Sequence, residues 1–520
     1  MPLLQITHGA IYDPAHGVAG DVRDLWIRDG VVVEPPPDPR PDRTIDASGL
    51  IVMPGGVDGH SHIAGPAVTS ARQQNPGRLP GTIETGRLYA GLGYTTAVDA
   101  AVPPSGARQA HLEFADTPTI DKAMLIPLGN NVFALEQMAA REPRRLRDFV
   151  AWLLGATRAY GVKVVNPGGV ETWKQSVQGP NNLDEPVAGF EVTPRQILTS
   201  LAGVAAELRL PHGLHVHANH LGVPGNAATT LATMQALDGL PAHISHIQFH
   251  SYGGDGSDPR TMSSRVPELA EYVNSHRGVS VDVGQVVFGD ATALTGDSPV
   301  GAFLHRVTGR RWTLHDVELE TGCGIVPIEY KERSFVHALQ WAIGLEWFLL
   351  VDDPWRIGLT TDHPNGGSFL AYPEIIAWLM SRDLRRSLLD RLPARVRERT
   401  TLADLDREYT MSEIAIITRA APARILGMDR KGHLGVGADG DVTIYSPDSD
   451  RRAMFALPRY VIKAGQVIVD NGEYRGDVSS RTWHVAPPFD PAIVPALRQW
   501  FDRFGSTSLE NFSLASDAVT

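Results

Sequence analysis

The first fifty residues alternate short apolar runs with turn residues: Leu4-Gln5-Ile6, Leu25-Trp26-Ile27 and Val31-Val32-Val33. Runs of this length bounded by Gly, Asp and Pro predict strands, and hence a small β-domain. The texture returns late, around Leu434-Gly435-Val436-Gly437-Ala438-Asp439-Gly440-Asp441-Val442 and again from Tyr460 to Val469. Two β-rich ends around a different middle predict one β-sandwich built from both termini.

The middle alternates strand-like and helix-length segments, the pattern of a parallel α/β architecture. Eight strands are expected, over 51–57, 94–99, 123–128, 162–166, 214–218, 242–247, 279–284 and 357–361. Eight is the number that closes a TIM-like (β/α)8 barrel. The expected division is therefore 1–50 and 426–520 for the two parts of the sandwich, the second with a C-terminal tail, and 51–425 for the barrel. An open doubly wound sheet shares the pattern, but no GxGxxG follows the early strands, so nothing points to a dinucleotide. The long segment between the seventh and eighth strands holds Gly322-Cys323-Gly324-Ile325-Val326-Pro327 and an aromatic-rich helix around Trp341 and Trp347. It reads equally as a substrate wall or partner surface, or as an extra packing helix.

At 520 residues the chain can bury a large core without disulfides, and its single cysteine, Cys323, excludes a CxxC metal cage or an iron–sulfur cluster from this chain alone. A formal charge of −12 argues against a nucleic-acid partner. The opening Met1-Pro2-Leu3-Leu4-Gln5 has no basic region and no long apolar run, and no stretch of about 20 apolar residues suggests a membrane span. A cytoplasmic protein is expected.

Any metal ligands must then be histidine, carboxylate or something unusual. Val57-Asp58-Gly59-His60-Ser61-His62 ends the first barrel strand. Residues two apart on a strand share a face, so His60 and His62 can present both imidazoles to one ion. His217 ends the fifth strand and His246 the sixth, where barrel active sites lie; His215 and His243 read better as hydrogen-bonded core histidines. Asp362 ends the eighth strand and offers a carboxylate for metal binding and proton transfer. His-rich sites with one carboxylate suit zinc. Two nearby zinc ions need a bridging anion against their mutual repulsion. Lys163 stands in an apolar strand, where burial favours the neutral amine. A neutral amine can capture CO₂ as a carbamate, whose two oxygens can bridge the ions. A lysine snorkelling from the strand end or paired with Asp362 is the plain alternative; beside four histidines the carbamate accounts for more.

These residues resemble the amidohydrolase superfamily, as in dihydropyrimidinases and dihydroorotases, from Gly59-His60-Ser61-His62 to the Gly435–Asp441 turn. More narrowly the chain is similar to the alpha-type subunits of formylmethanofuran dehydrogenase and of the bacterial formyltransferase/hydrolase complex. The segments that carry this are Val162-Lys163-Val164-Val165-Asn166-Pro167-Gly168-Gly169, His215-Val216-His217-Ala218-Asn219, His246-Ile247-Gln248-Phe249-His250-Ser251-Tyr252-Gly253, Ala338-Leu339-Gln340-Trp341 and Thr360-Thr361-Asp362-His363-Pro364-Asn365.

The resemblance implies an amidohydrolase-type barrel with carboxylated Lys163, metal ligands at His60, His62, His217 and His246, and a catalytic Asp362. The implied reaction interconverts formyl-methanofuran, or its methylofuran analogue, with formate and the free furan amine. Asn166 and His250 would position the reactants. The glutamate-containing tail of such cofactors calls for local positive charge, for which Arg306, Arg310 and Arg311 are candidates; the run from Arg382 to Arg399 reads rather as a solvated helix face. Implied partners are dehydrogenase-like subunits and a formyltransferase subunit. The same barrel would also serve a tungsten or molybdenum formylmethanofuran dehydrogenase, or stand alone as a dihydropyrimidinase. A non-catalytic scaffold would require an empty site, whereas all six candidate site residues are present.

Overall fold

The computed structural model of the chain describes residues 2–75, 77–175, 182–256, 258–309, 313–315, 323–504 and 508–514. Eight parallel strands surround the centre: β1 Gly56–Ser61, β2 Tyr94–Asp99, β3 Asp121–Pro127, β4 Gly161–Val165, β5 Leu214–His217, β6 Ala242–Ile244, β7 Val279–Gly284 and β8 Ile357–Thr360. They are hydrogen-bonded in sequential order from β1 to β8. The seam between β8 and β1 is held at its upper end. There Thr360 Oγ1 donates to the His60 carbonyl, and the His62 amide donates to the His363 carbonyl at 2.8 Å. Because helices cover the outside, strands of such a barrel are buried on both faces and read as apolar runs. Polar residues within them therefore stand out: Asp58, His60, Lys163, His215, His217, His243 and Asp282 are all buried.

The first expected strand, 51–57, divides in two. Ile51–Pro54 leaves the barrel, pairing antiparallel with Val442–Tyr445 and parallel with Leu3–Asp13. The barrel strand begins after Gly55. A Cβ on Gly55 would lie 2.3 Å from Thr95 Oγ1, and one on Gly56 2.6 Å from Tyr94 Cγ. Only glycines allow the chain to press this closely on β2 as it passes from one sheet to the other.

Strands from the two ends of the chain join in one nine-stranded sheet. It curls about its own core of Ile6, Ile27, Val52, Ala438, Val442 and Ile462, and its edge is closed by the Val32 amide donating to the Ala438 carbonyl at 2.9 Å. Buried charge joins this sheet to the barrel. Lys431 and Lys463 each contact Asp121, at the start of β3, and Asp441; Lys431 also reaches Asp439 at 2.9 Å. Such a cluster is stable only while every charge has its partner.

Between β7 and β8, strands Gly289–Thr295 and Cys323–Tyr330 pair antiparallel, and Thr313–His315 adds a third. The helix Ser298–Thr308 packs against this small sheet. The helix Phe335–Leu350 is a core element: Trp341 and Trp347 are fully buried, and Trp347 Nε1 donates to Ser251 Oγ at 2.8 Å. The insertion thus supplies both a wall and a packing helix. Among the described residues, no helix is long and apolar enough to cross a membrane.

Candidate metal centre and active site

A cavity of about 370 Å³ opens at the C-terminal end of the barrel, lined by His62, Lys163, His217, His246, Asp362 and Asn365, among others. Its outer wall is apolar, formed by Val300, Phe303, Leu304 and Val307 of the helix Ser298–Thr308 together with Phe249 and Ile328. His60 lies in β1 and His62 just beyond it; Lys163 lies in β4 and His217 ends β5. Asn166, His246 and Asp362 follow the ends of β4, β6 and β8, each in the left-handed backbone region at φ 42°, 35° and 49°. Asn, Asp and His tolerate this region better than other side chains, and such conformations gather at functional sites.

Four polar side-chain atoms converge. Asp362 Oδ1 lies 3.1 Å from His62 Nε2 and 3.2 Å from His60 Nε2, and Lys163 Nζ lies 3.3 Å from His60 Nε2. The imidazoles of His217 and His246 stand 4.7 Å apart, and His60 lies 5.2 Å from His246, centroid to centroid. His246 Nδ1 is buried with no hydrogen-bond partner among the described residues. Three histidines, a carboxylate and an amine line the cavity, with His60 behind them against Lys163 and Asp362 and an orphaned ring nitrogen among them; this set fits a divalent metal centre.

Burial pulls the Lys163 amine down to about 8, against the pull of Asp362 and Asp282. Burial likewise lowers His217 and His246, keeping their ring nitrogens free of extra protons. For His62 burial opposes charge, but hydrogen bonds to Asp362 and Asp99 outweigh it and raise the ring to about 9. A cation in this position would take the place of that proton. Burial would raise Asp362, yet His60 and His246 hold it well below the ordinary carboxylate range.

Beneath the cavity lies a layer of which sequence reasoning named only His215 and His243. Asp282 of β7 accepts from His60 Nδ1 at 2.9 Å, His243 Nε2 at 2.8 Å and the His246 amide at 2.5 Å. His212 Nδ1 donates to the Ile425 carbonyl, so its Nε2 accepts from His215 Nδ1 at 3.0 Å; His215 Nε2 then faces His60 Nδ1 at 3.2 Å. His215 and His243 thus sit below the cavity as hydrogen-bonded core histidines. Asp99, at the end of β2, accepts the amides of Ile63 and Ala64 and lies 3.7 Å from His62 Nδ1. A lone carboxylate inside an apolar strand was the available signal for Asp282, the same signal that singled out Lys163.

Asn166 donates through Nδ2 to Asp297 at 3.0 Å. His250 is fully buried, 5.3 Å from His246 and from His217 between ring centroids, and neither of its ring nitrogens has a hydrogen-bond partner among the described residues. Arg306 is exposed on the helix that walls the cavity; Arg310 and Arg311 lie outside the described residues. In the run from Arg382 to Arg399, Arg386 pairs with Asp406 and Arg391 with Glu332, while buried Arg385 donates to the carbonyls of Trp378, Leu379 and Arg407. A third carboxylate group, Asp121, Asp439 and Asp441, is filled by the two lysine ammonium groups described above.

A model of the amidohydrolase family matches residues 43–469. Protein FwdA of Methanocaldococcus jannaschii is 40% identical over 98% of this chain and 96% of its own length. FhcA, from the formyltransferase/hydrolase complex Fhc of Methylorubrum extorquens, is 40% identical over 99% and 97%. The crystal structure of that organism's FhcABCD complex with methylofuran contains a chain that superposes with a TM-score of 0.94 at 38% identity, covering 99% of this chain and 97% of that one. N-acyl-D-glutamate deacylase of Bordetella bronchiseptica shares the fold alone, at a TM-score of 0.53 and 18% identity over 93% of this chain. The chain belongs to the amidohydrolase family, in the branch that holds FwdA and FhcA.

Proposed function

We propose that this chain is the catalytic subunit that hydrolyses formyl-methylofuran or formyl-methanofuran to formate and the free furan amine, in a cytoplasmic formyltransferase/hydrolase complex of one-carbon oxidation. The observation that carries this reading is Lys163: buried, lowered to about 8, and 3.3 Å from His60 within a ring of histidines. Its neutral amine would add CO₂ to give the N6-carboxylate, an anion that would serve as a shared ligand of two zinc ions. His60, His62, His217, His246 and Asp362 would complete the ligand set. Bound zinc supplies Lewis acidity toward the formyl oxygen and makes water a nucleophile near neutral pH.

The chain's own residues do the rest. Asp362 takes the proton from the attacking water and delivers it to the amine nitrogen as the C–N bond breaks, so formic acid and the free amine are released and the acid then loses its proton to solvent as formate. Asn166 and His250 orient the reactants. The apolar wall from Val300 to Val307 excludes water around the furan end. Arg306, Arg310 and Arg311, on and after the helix that forms that wall, grip the acidic tail. Other subunits, a formyltransferase among them, supply the formyl group; the full-length match to FhcA and to a chain of FhcABCD supports this.

Formate release from formyl-methylofuran by the purified protein, with metal analysis, tests the reading. Turnover of dihydrouracil with none of the formyl-furan would replace it by a free-standing cyclic amidohydrolase. The equal identity to FwdA supports a second reading, the same chemistry beside a tungsten or molybdenum subunit. Either metal, found with iron–sulfur clusters in the purified complex, would decide for it.

A further inference from the structure

We propose that Asp297 is a positioning residue of the metal centre: its carboxylate holds His217 in the Nε2–H tautomer, leaving Nδ1 to bind metal, and fixes the Asn166 amide beside it. This rests on His217 being a metal ligand, as proposed above.

Asp297 is 1% exposed and comes from the insertion between β7 and β8, far in sequence from both of its partners. Its two oxygens divide between them: Oδ2 lies 3.1 Å from His217 Nε2 and Oδ1 3.0 Å from Asn166 Nδ2. The polarity of this arrangement follows from the neighbours. Asn219 Nδ2 donates both to Asn166 Oδ1 at 2.8 Å and to the Pro167 carbonyl at 3.0 Å. Asn166 Oδ1 is therefore the acceptor and its Nδ2 the donor toward Asp297. A carboxylate only accepts, so His217 must donate from Nε2, and its lone pair lies on Nδ1. Metal-binding histidines commonly give their second N–H to a carboxylate in this way.

The local sequence supports a purpose for this contact. Asp297 stands at the N-cap of the helix Ser298–Thr308, where an aspartate ordinarily accepts from the helix's own backbone amides. Here the side chain makes no such bond. Its capping capacity is given up and the carboxylate turns inward to the site. The same helix carries Val300, Phe303 and Leu304 into the cavity wall. Asp297 thus joins the substrate wall to the metal centre at one residue.

Asp297→Asn and Asp297→Ala in the full-length chain test this, with zinc affinity measured by chelator competition and the His217 tautomer by ¹⁵N-histidine NMR of the metal-free protein. Both variants are expected to lose roughly 10–100-fold in affinity for one of the two ions. In both, His217 should shift from pure Nε2–H to a tautomer mixture, while Asp297→Asn melts as wild type. Should the alanine variant fail to fold, the near-isosteric asparagine still decides. Wild-type zinc affinity and an unchanged tautomer in folded Asp297→Asn would overturn the proposal. His217→Ala separates it from the reading beneath: normal binding of both ions there removes His217 as a ligand. Weakened binding in His217→Ala beside normal binding in Asp297→Asn removes only the role of Asp297.

Discussion

Asp282 Oδ2 lies 2.9 Å from His60 Nδ1, and this contact turns His60 Nε2 toward Lys163 and Asp362. The same oxygen takes His243 Nε2, and Oδ1 takes the His246 amide, so one carboxylate orients two strand ends. Asp282→Asn should lower metal affinity by roughly 10–100-fold, because an amide that keeps its oxygen on the two rings turns its NH2 group against the His246 amide, donor against donor. Chelator competition checks this; unchanged affinity would mean that the ring orientation is set elsewhere.

Lys163→Ala should lose the bridge between the ions and nearly all turnover. Wild-type zinc content and activity in that variant would refute the carbamate.

The pH dependence of reconstitution follows from the same side chain. Carboxylation needs the free amine, and the Lys163 amine is lowered to about 8 by burial. Below that pH the protonated ammonium cannot attack CO₂; above it the free amine prevails. With apo-protein and zinc at a fixed concentration of dissolved CO₂, the recovery rate should rise about tenfold per pH unit below 8 and level off above. A rate independent of pH across this window would count against the lysine.

Asp362→Asn should retain at least one ion, since His60 and His62 remain, but lose roughly 10²–10⁴-fold in turnover with its proton-transfer role. Single-turnover formate release measures this, and normal rates would remove Asp362 from proton transfer.

Lys431→Ala tests the join between sheet and barrel. It leaves Asp121 and Asp441 buried around the single ammonium of Lys463, and Asp439 with Arg430. Breaking a buried ion cluster by removing one partner costs about 3–5 kcal/mol, so the thermal midpoint should fall clearly with zinc-site spectra of the remaining folded protein unchanged. A midpoint equal to wild type would show that water enters and screens the cluster.

Much of the site was legible because it follows local rules. The two-residue period of a strand puts His60 and His62 on one side. A lysine inside an apolar run and a carboxylate at a strand end stand out without any fold in hand. The period could not separate His215 from His217, which share a face of β5. Height separates them: His215 pairs in register with Lys163 and joins the layer around Asp282, and His217, one step higher, lines the cavity. His243 and His246 differ by three positions, and only the left-handed turn at His246 brings its ring to the same cavity.

The sequence by itself determined the barrel, the β-rich ends and the candidate ligands, since apolar periodicity and isolated polar residues in buried strands are local signals. Only the tertiary structure decided that Ile51–Pro54 belongs to the outer sheet, that Asp282 sits under His60, and that Asp297 reaches His217. Each of these depends on which strands and loops become neighbours once the barrel closes. Contacts made across hundreds of residues leave no period in the chain to read.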